Sequence, residues 1–171
     1  MRGMGRNRVH YVALALLACA ATAPAHAQEA IYGDFGVTLG QGFDQRLSLG
    51  RALLYGNVEA ERFQPSYPLY LFREYYAVVT PRTRLVAGIM AESVPFASID
   101  ECMTHLNAVQ SYIGRFGVPR MTAQSDREVL VQVEQGNRAA YLRCNRGQNV
   151  RMELNYVDYT LLRQRDQEAG R

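Results

Sequence analysis

Residues 128–157, EVLVQVEQGNRAAYLRCNRGQNVRMELNYV, place apolar side chains at every second position in three successive runs. Val129, Val131 and Val133 share one side of the first run. Ala140, Leu142 and Cys144 share one side of the second, and Val150, Met152, Leu154 and Tyr156 one side of the third. A period of two is the spacing of a strand with one buried face. Gly136-Asn137 separates the first two runs as a two-residue turn of the glycine-first kind, and residues 145–149 form a longer turn containing Gly147. The stretch therefore predicts a three-stranded antiparallel meander. Its polar side displays Gln132, Glu134, Tyr141, Arg143, Arg151, Glu153 and Asn155. Tyr and Arg are frequent anchors of protein interfaces, so Tyr141, Arg143, Arg151, Glu153 and Asn155 form the candidate interaction surface.

Upstream of the meander, the period changes to that of a helix. Ile99, Cys102, Met103, Leu106, Val109, Gln110, Ile113 and Phe116 fall on one side at 3.6 residues per turn, with Gln110 the one polar member. Ser98 and Glu101 make a capping box at the start, while Gly117 and Pro119 close the end. The pattern predicts a helix over residues 98–116. Before it, residues 71–80 and 85–92 are rich in Tyr, Phe and Val and are separated by Pro81-Arg82-Thr83-Arg84, which reads as a hairpin. Alternation sends Tyr75 and Tyr76 to opposite faces. The Tyr-rich stretch containing Tyr67, Tyr70, Phe72, Tyr75 and Tyr76 is a second candidate surface.

The expected fold is α+β: an antiparallel sheet of about five strands (hairpin, helix, three-stranded meander), with one main helix packed on one face. Residues 28–62 read as an irregular N-terminal part, with a short strand or docked turn at 35–39 and a short helix within 41–55. The core spans residues 63–157, and residues 158–171 form a short C-terminal helix or tail. No internal repeat is evident in the sequence.

The chain has 171 residues, a formal charge of +3, no Lys and 19 Arg against 16 acids. Three of those arginines, Arg2, Arg6 and Arg8, precede an apolar run at residues 11–23 and the small-residue site Ala25-His26-Ala27. That order predicts a cleavable signal peptide over residues 1–27, cut after Ala27, with a cut after Ala25 as the alternative. The run is shorter than the roughly 20 residues a membrane-spanning helix needs. Leu16-Leu17-Ala18-Cys19 offers a rival reading, a lipid anchor on Cys19. Loss of the leader balances Arg against acid, so the positive charge marks export to the periplasm or beyond and argues against a nucleic-acid partner.

Two cysteines remain beyond the leader, Cys102 and Cys144. In an oxidising compartment they predict a disulfide. The alternative is a metal site from Cys102, His105 and Cys144, which supplies three of the four ligands that structural zinc wants. No metal or cofactor is expected. Without Lys, phosphate-loop, Schiff-base and lysine-base chemistry are excluded. His105 lies on a helix flank in register with Glu101, and Gly33-Asp34-Phe35-Gly36 reads as turn chemistry.

With Pro68, Phe72 and Tyr75 spaced P-x3-F-x2-Y, then T-P-R-T-R-L-V at residues 80–86 and a capped helix carrying a Cys, residues 68–116 resemble small exported proteobacterial proteins of unknown function. The resemblance implies export and carries no catalytic motif. Residues 141–147, YLRCNRG, are similar to a Y-x-C-x-x-G strand pair of periplasmic lysozyme inhibitors. Here the Tyr–Cys spacing is one residue longer, and the rest of that family's barrel would have to follow where the chain ends. The leading expectation is a non-enzymatic exported binding domain whose partner is an envelope protein or a small ligand. The alternatives are an envelope accessory protein tethered through Cys19, and a hydrolase using two carboxylates drawn from Asp34, Asp44, Glu59, Glu61, Glu74, Glu92 or the strand acids.

Overall fold

The alternating runs of residues 128–157 are strands, and the chain builds more of them than its pattern announces. The computed structural model describes residues 28–170. Its first part contains β1 (Gly33–Asp34), β2 (Val37–Thr38), β3 (Ser48–Leu54), β4 (Val58–Phe63), β5 (Phe72–Val79) and β6 (Val86–Ser93). Then come α1 (Ile99–Val109), α2 (Ser111–Gly114), β7 (Arg120–Gln124), β8 (Glu128–Gln135), β9 (Arg138–Arg146), β10 (Val150–Asp158) and α3 (Tyr159–Glu168). The strands β3 to β10 form one antiparallel eight-stranded sheet in the order β3-β4-β5-β6-β10-β9-β8-β7, and β1 pairs with β2 separately.

The expectation of about five strands and one main helix is therefore wrong, and so is the irregular N-terminal part. Residues 48–54 and 58–63 are strands, with no helix there beyond single turns at Gln45–Leu47 and Tyr55–Asn57. The polar connection after α2 holds β7. The physical reason is position. β3 and β7 are the two sheet edges and are mostly exposed, so burial imposes no alternation on them. In β4 the core-facing position opposite Ala77 is Glu61, a charge where the pattern demands an apolar residue.

The predicted long helix is divided. α1 ends at Val109, α2 begins at Ser111, and Gln110 between them takes amide protons from Ile113 and Gly114 at 3.2 and 3.1 Å. Ser98 caps α1 by accepting from the Glu101 amide at 3.1 Å, while Glu101 itself accepts from Ala97, one residue before the expected donor. Gly136 has φ of 61°, the left-handed value that the first position of its two-residue turn requires.

The pairing registers show two four-stranded meanders, β3–β6 and β7–β10, each followed by a helix. Their last strands meet antiparallel at the centre, where Met90 faces Asn155 between the pairs Gly88–Val157 and Glu92–Glu153. Equivalent pairs recur on either side. Tyr76–Met90 matches Tyr141–Asn155, Arg62–Tyr76 matches Gln132–Tyr141, and Glu61–Ala77 matches Val131–Leu142. The molecule is thus an approximate two-fold repeat of topology, written in two dissimilar sequences.

The core lies on the sheet face that carries Tyr75, Ile89, Leu142, Cys144, Met152, Leu154 and Tyr156. α1 follows β6 of the first meander but covers β8, β9 and β10 of the second with Ile99, Cys102, Leu106 and Val109. The Cys102–Cys144 disulfide, with Cα atoms 6.0 Å apart, fixes α1 to β9. The N-terminal segment closes the rest of this face with Ile31, Phe35, Val37, Leu39 and Phe43. Each such side chain contributes about 1.5–3 kcal/mol on full burial.

Candidate functional site: the open face of the sheet

The opposite face follows from the same alternation. Across β5, β6, β10 and β9 one row reads Tyr76, Met90, Asn155, Tyr141, and the adjacent row reads Glu74, Glu92, Glu153, Arg143. Arg151 lies two residues from Glu153 on the same side of β10. The structure thus gathers all five candidate residues, Tyr141, Arg143, Arg151, Glu153 and Asn155, on one continuous patch. It also sorts the Tyr-rich stretch as alternation requires, with Tyr75 in the core and Tyr76 on the open face.

Like charges stand opposite one another in this patch, since Glu92 is paired in register with both Glu74 and Glu153. Directly opposed like charges are unfavourable unless neutralised. Here arginines neutralise them. Arg143 donates to Glu153 at 2.6 and 3.0 Å, Arg151 reaches Glu92 at 2.7 Å, and Arg62 lies 3.9 Å from Glu74. Glu153 is only 3% exposed, and Arg143 is the cation that pairs with it there. Burial pushes the Glu92 carboxyl above the usual range; Arg151 opposes the shift and Glu153 adds to it.

The tyrosines of the patch are donors at neutral pH. Burial pushes the Tyr141 phenol up to about 12, against the opposing charge of Arg143, and burial also raises Tyr76. Between them, at the centre of the two-fold repeat, Asn155 is 5% exposed and its Nδ2 is buried without a hydrogen-bond partner among the described residues. A buried donor left unmade costs about 1–3 kcal/mol. The patch therefore offers phenol, amide and guanidinium donors with carboxylate acceptors. This chemistry suits recognition by hydrogen bonds.

The other candidates fall elsewhere. His105 stacks on Phe96 with ring centroids 5.1 Å apart, and its expected partner Glu101 is engaged with Ala97. Cys102 and Cys144 are joined, so the metal-site alternative is replaced by the bridge. Among the described residues, no three His, Cys, Asp or Glu side chains are grouped to hold a metal ion, and no helix is long and apolar enough to cross a membrane. The signal peptide and Cys19 lie outside the described residues.

One cluster escaped the sequence. Asp34 is buried and accepts from the Tyr156 hydroxyl at 2.7 Å, from Arg115 at 2.7 Å, from the Phe35 amide at 2.9 Å and from the Tyr67 hydroxyl. The glycines on either side of Asp34-Phe35 were its one visible signal. Gly36 is backed by Ser66 at a distance no side chain could share. Asp34 ties the N-terminal segment to the core, and its donors occupy it from several directions.

Comparison with protein-family models, with curated proteins and with solved structures found no match to this chain.

Proposed function

We propose that this chain is a non-enzymatic binding domain, exported to the periplasm or beyond, that engages an envelope protein through the open face of its sheet. The observation that carries the reading is the Asn155 amide, buried with no hydrogen-bond partner among the described residues at the centre of a patch of tyrosines and Arg–Glu pairs. A partner carbonyl placed there would satisfy that donor, and buried polar groups are otherwise paired in the great majority of proteins. The charges of the patch are largely balanced, which favours a partner surface of mixed charge over a strongly anionic one.

The test is site-specific photocrosslinking in producing cells. A photoreactive residue at position 141 should yield a defined adduct, while one at Tyr70, exposed on the loop before β5, should not. Absence of any adduct from position 141 in folded, exported protein sinks the proposal. Mass spectrometry of the mature chain tests export separately. A start at Gln28 supports a cleaved leader, and a lipid on Cys19 would replace it with the tethered form.

A further inference from the structure

The two-fold repeat allows one half of the molecule to be compared with the other, position by position. In the second meander, Val129, Val131 and Cys144 are fully buried, and α1 packs on the strands that carry them. The equivalent positions of the first meander are Glu59, Glu61 and Val79, set by the matching registers of β4 with β5 and β8 with β9. The architecture accepts valines at these sites and seals them. In the first half it carries carboxylates, and a cleft of about 400 Å³ opens beside them, with α3, which packs on β6, along one wall.

Three arginines line that cleft, Arg51 from β3, Arg84 from the β5–β6 turn and Arg165 from α3, against the two carboxylates Glu59 and Glu61 of β4. Ala60, Val79 and Pro81 supply apolar wall. The Glu61 side chain is 8% exposed. Its Oε1 faces two guanidiniums, Arg84 at 2.9 Å and Arg51 at 3.9 Å, while Oε2 accepts from Ser48 at 2.9 Å. One carboxylate thus positions two arginines and saturates neither, because each guanidinium has five donors in a planar fork. The third, Arg165, is 15% exposed and held by the neighbouring Asp166. Guanidinium forks match phosphate and carboxylate oxygens in a bidentate manner.

We infer that this cleft binds a small organic oxyanion, a phosphate or carboxylate carried on an apolar body. Arg51 and Arg84 take the oxyanion, Glu61 holds them in place, and the apolar wall receives the rest of the ligand. The site is separate from the open face of the sheet and does not depend on its role.

The test follows arginine Nε–Hε resonances of the full chain by NMR during titration with phenyl phosphate and, separately, with benzoate, at constant ionic strength. Saturable shifts at Arg51, Arg84 and Arg165, absent at Arg127 and Arg146, are expected with at least one probe, and the probe that produces them identifies the head group. Arg51→Gln should weaken that binding by about tenfold, or 1.4 kcal/mol. Its side chain is 76% exposed, so the fold survives the change. Arg146→Gln, at an exposed position away from the cleft, should leave the affinity unaltered. No saturable shift with either probe, unchanged affinity in Arg51→Gln, or equal weakening in Arg146→Gln would each overturn the assignment.

Discussion

Asp34 and Glu92 show how differently one carboxylate can act depending on what surrounds it. Asp34 accepts from two tyrosines, an arginine and a backbone amide, joining residues far apart in the chain. Asp34→Asn puts an amide against the Arg115 guanidinium and should cost about 3 kcal/mol. Tyr156→Phe, which removes one donor, should cost about 1 kcal/mol. Urea denaturation midpoints will show both, in that order. Glu92 has the opposite character, since burial raises its pKa. Its contribution is fully present below the ordinary glutamate value of about 4.3 and is lost as pH rises through the higher folded-state value. Glu92→Gln should therefore raise the melting temperature at neutral pH, with the gain shrinking toward pH 4. For Glu61, burial acts upward, but hydrogen bonds from Arg84 and Ser48 and the charges of Arg84 and Arg51 outweigh it and lower the pKa. Its stabilisation is present above the ordinary glutamate range and is lost as pH falls through the folded-state value.

Among the elements, legibility follows burial. β8 and β9 alternate because one side meets the core and the other is more exposed, while β10, at the centre of the sheet, is buried on both sides and alternates largely in chemistry, apolar against polar; that selection also placed the five candidate residues on one face. α1 was legible from Ser98 and its apolar stripe, and the disulfide from two cysteines that both point inward. β3 and β7 were not legible, because an edge strand with Leu49, Leu53 or Met121 in solvent has no face to reserve for apolar residues. The two-fold repeat was hidden for a related reason: where one half keeps Val129 and Val131, the other keeps Glu59 and Glu61. The Asp34 cluster left little local trace because its members meet only in three dimensions. At this scale the disulfide has a measurable weight. It closes a separation of 42 residues, and the chain-entropy model gives about 4 kcal/mol for such a loop. Reduction, or a Cys102→Ala/Cys144→Ala chain, should lower the denaturation free energy by about that amount and loosen α1 first in hydrogen exchange.

In the whole molecule, α1 belongs by sequence to the end of the first meander and by packing to the second. Neither half can bury its apolar face without the other, so unfolding should be a single event. Far-ultraviolet dichroism and tyrosine fluorescence should give superimposable denaturation curves, and a chain ending before β7 should not fold. Two separated transitions would show that the halves are independent domains.

An open sheet of eight strands also has two free rims, and this chain ends each of them with a defect. The ladder slips between Ser48 and Gly50 in β3 and between Met121 and Ala123 in β7, next to Arg51 and Arg120. A bent, charged rim is a poor template for another chain. Deleting Leu49 would straighten β3, leave Leu53 on a regular ladder and turn a terminated sheet into one that can be extended. Light scattering of that variant should rise with concentration while the parent chain stays unassociated, which makes the irregular rims a safeguard against polymerisation.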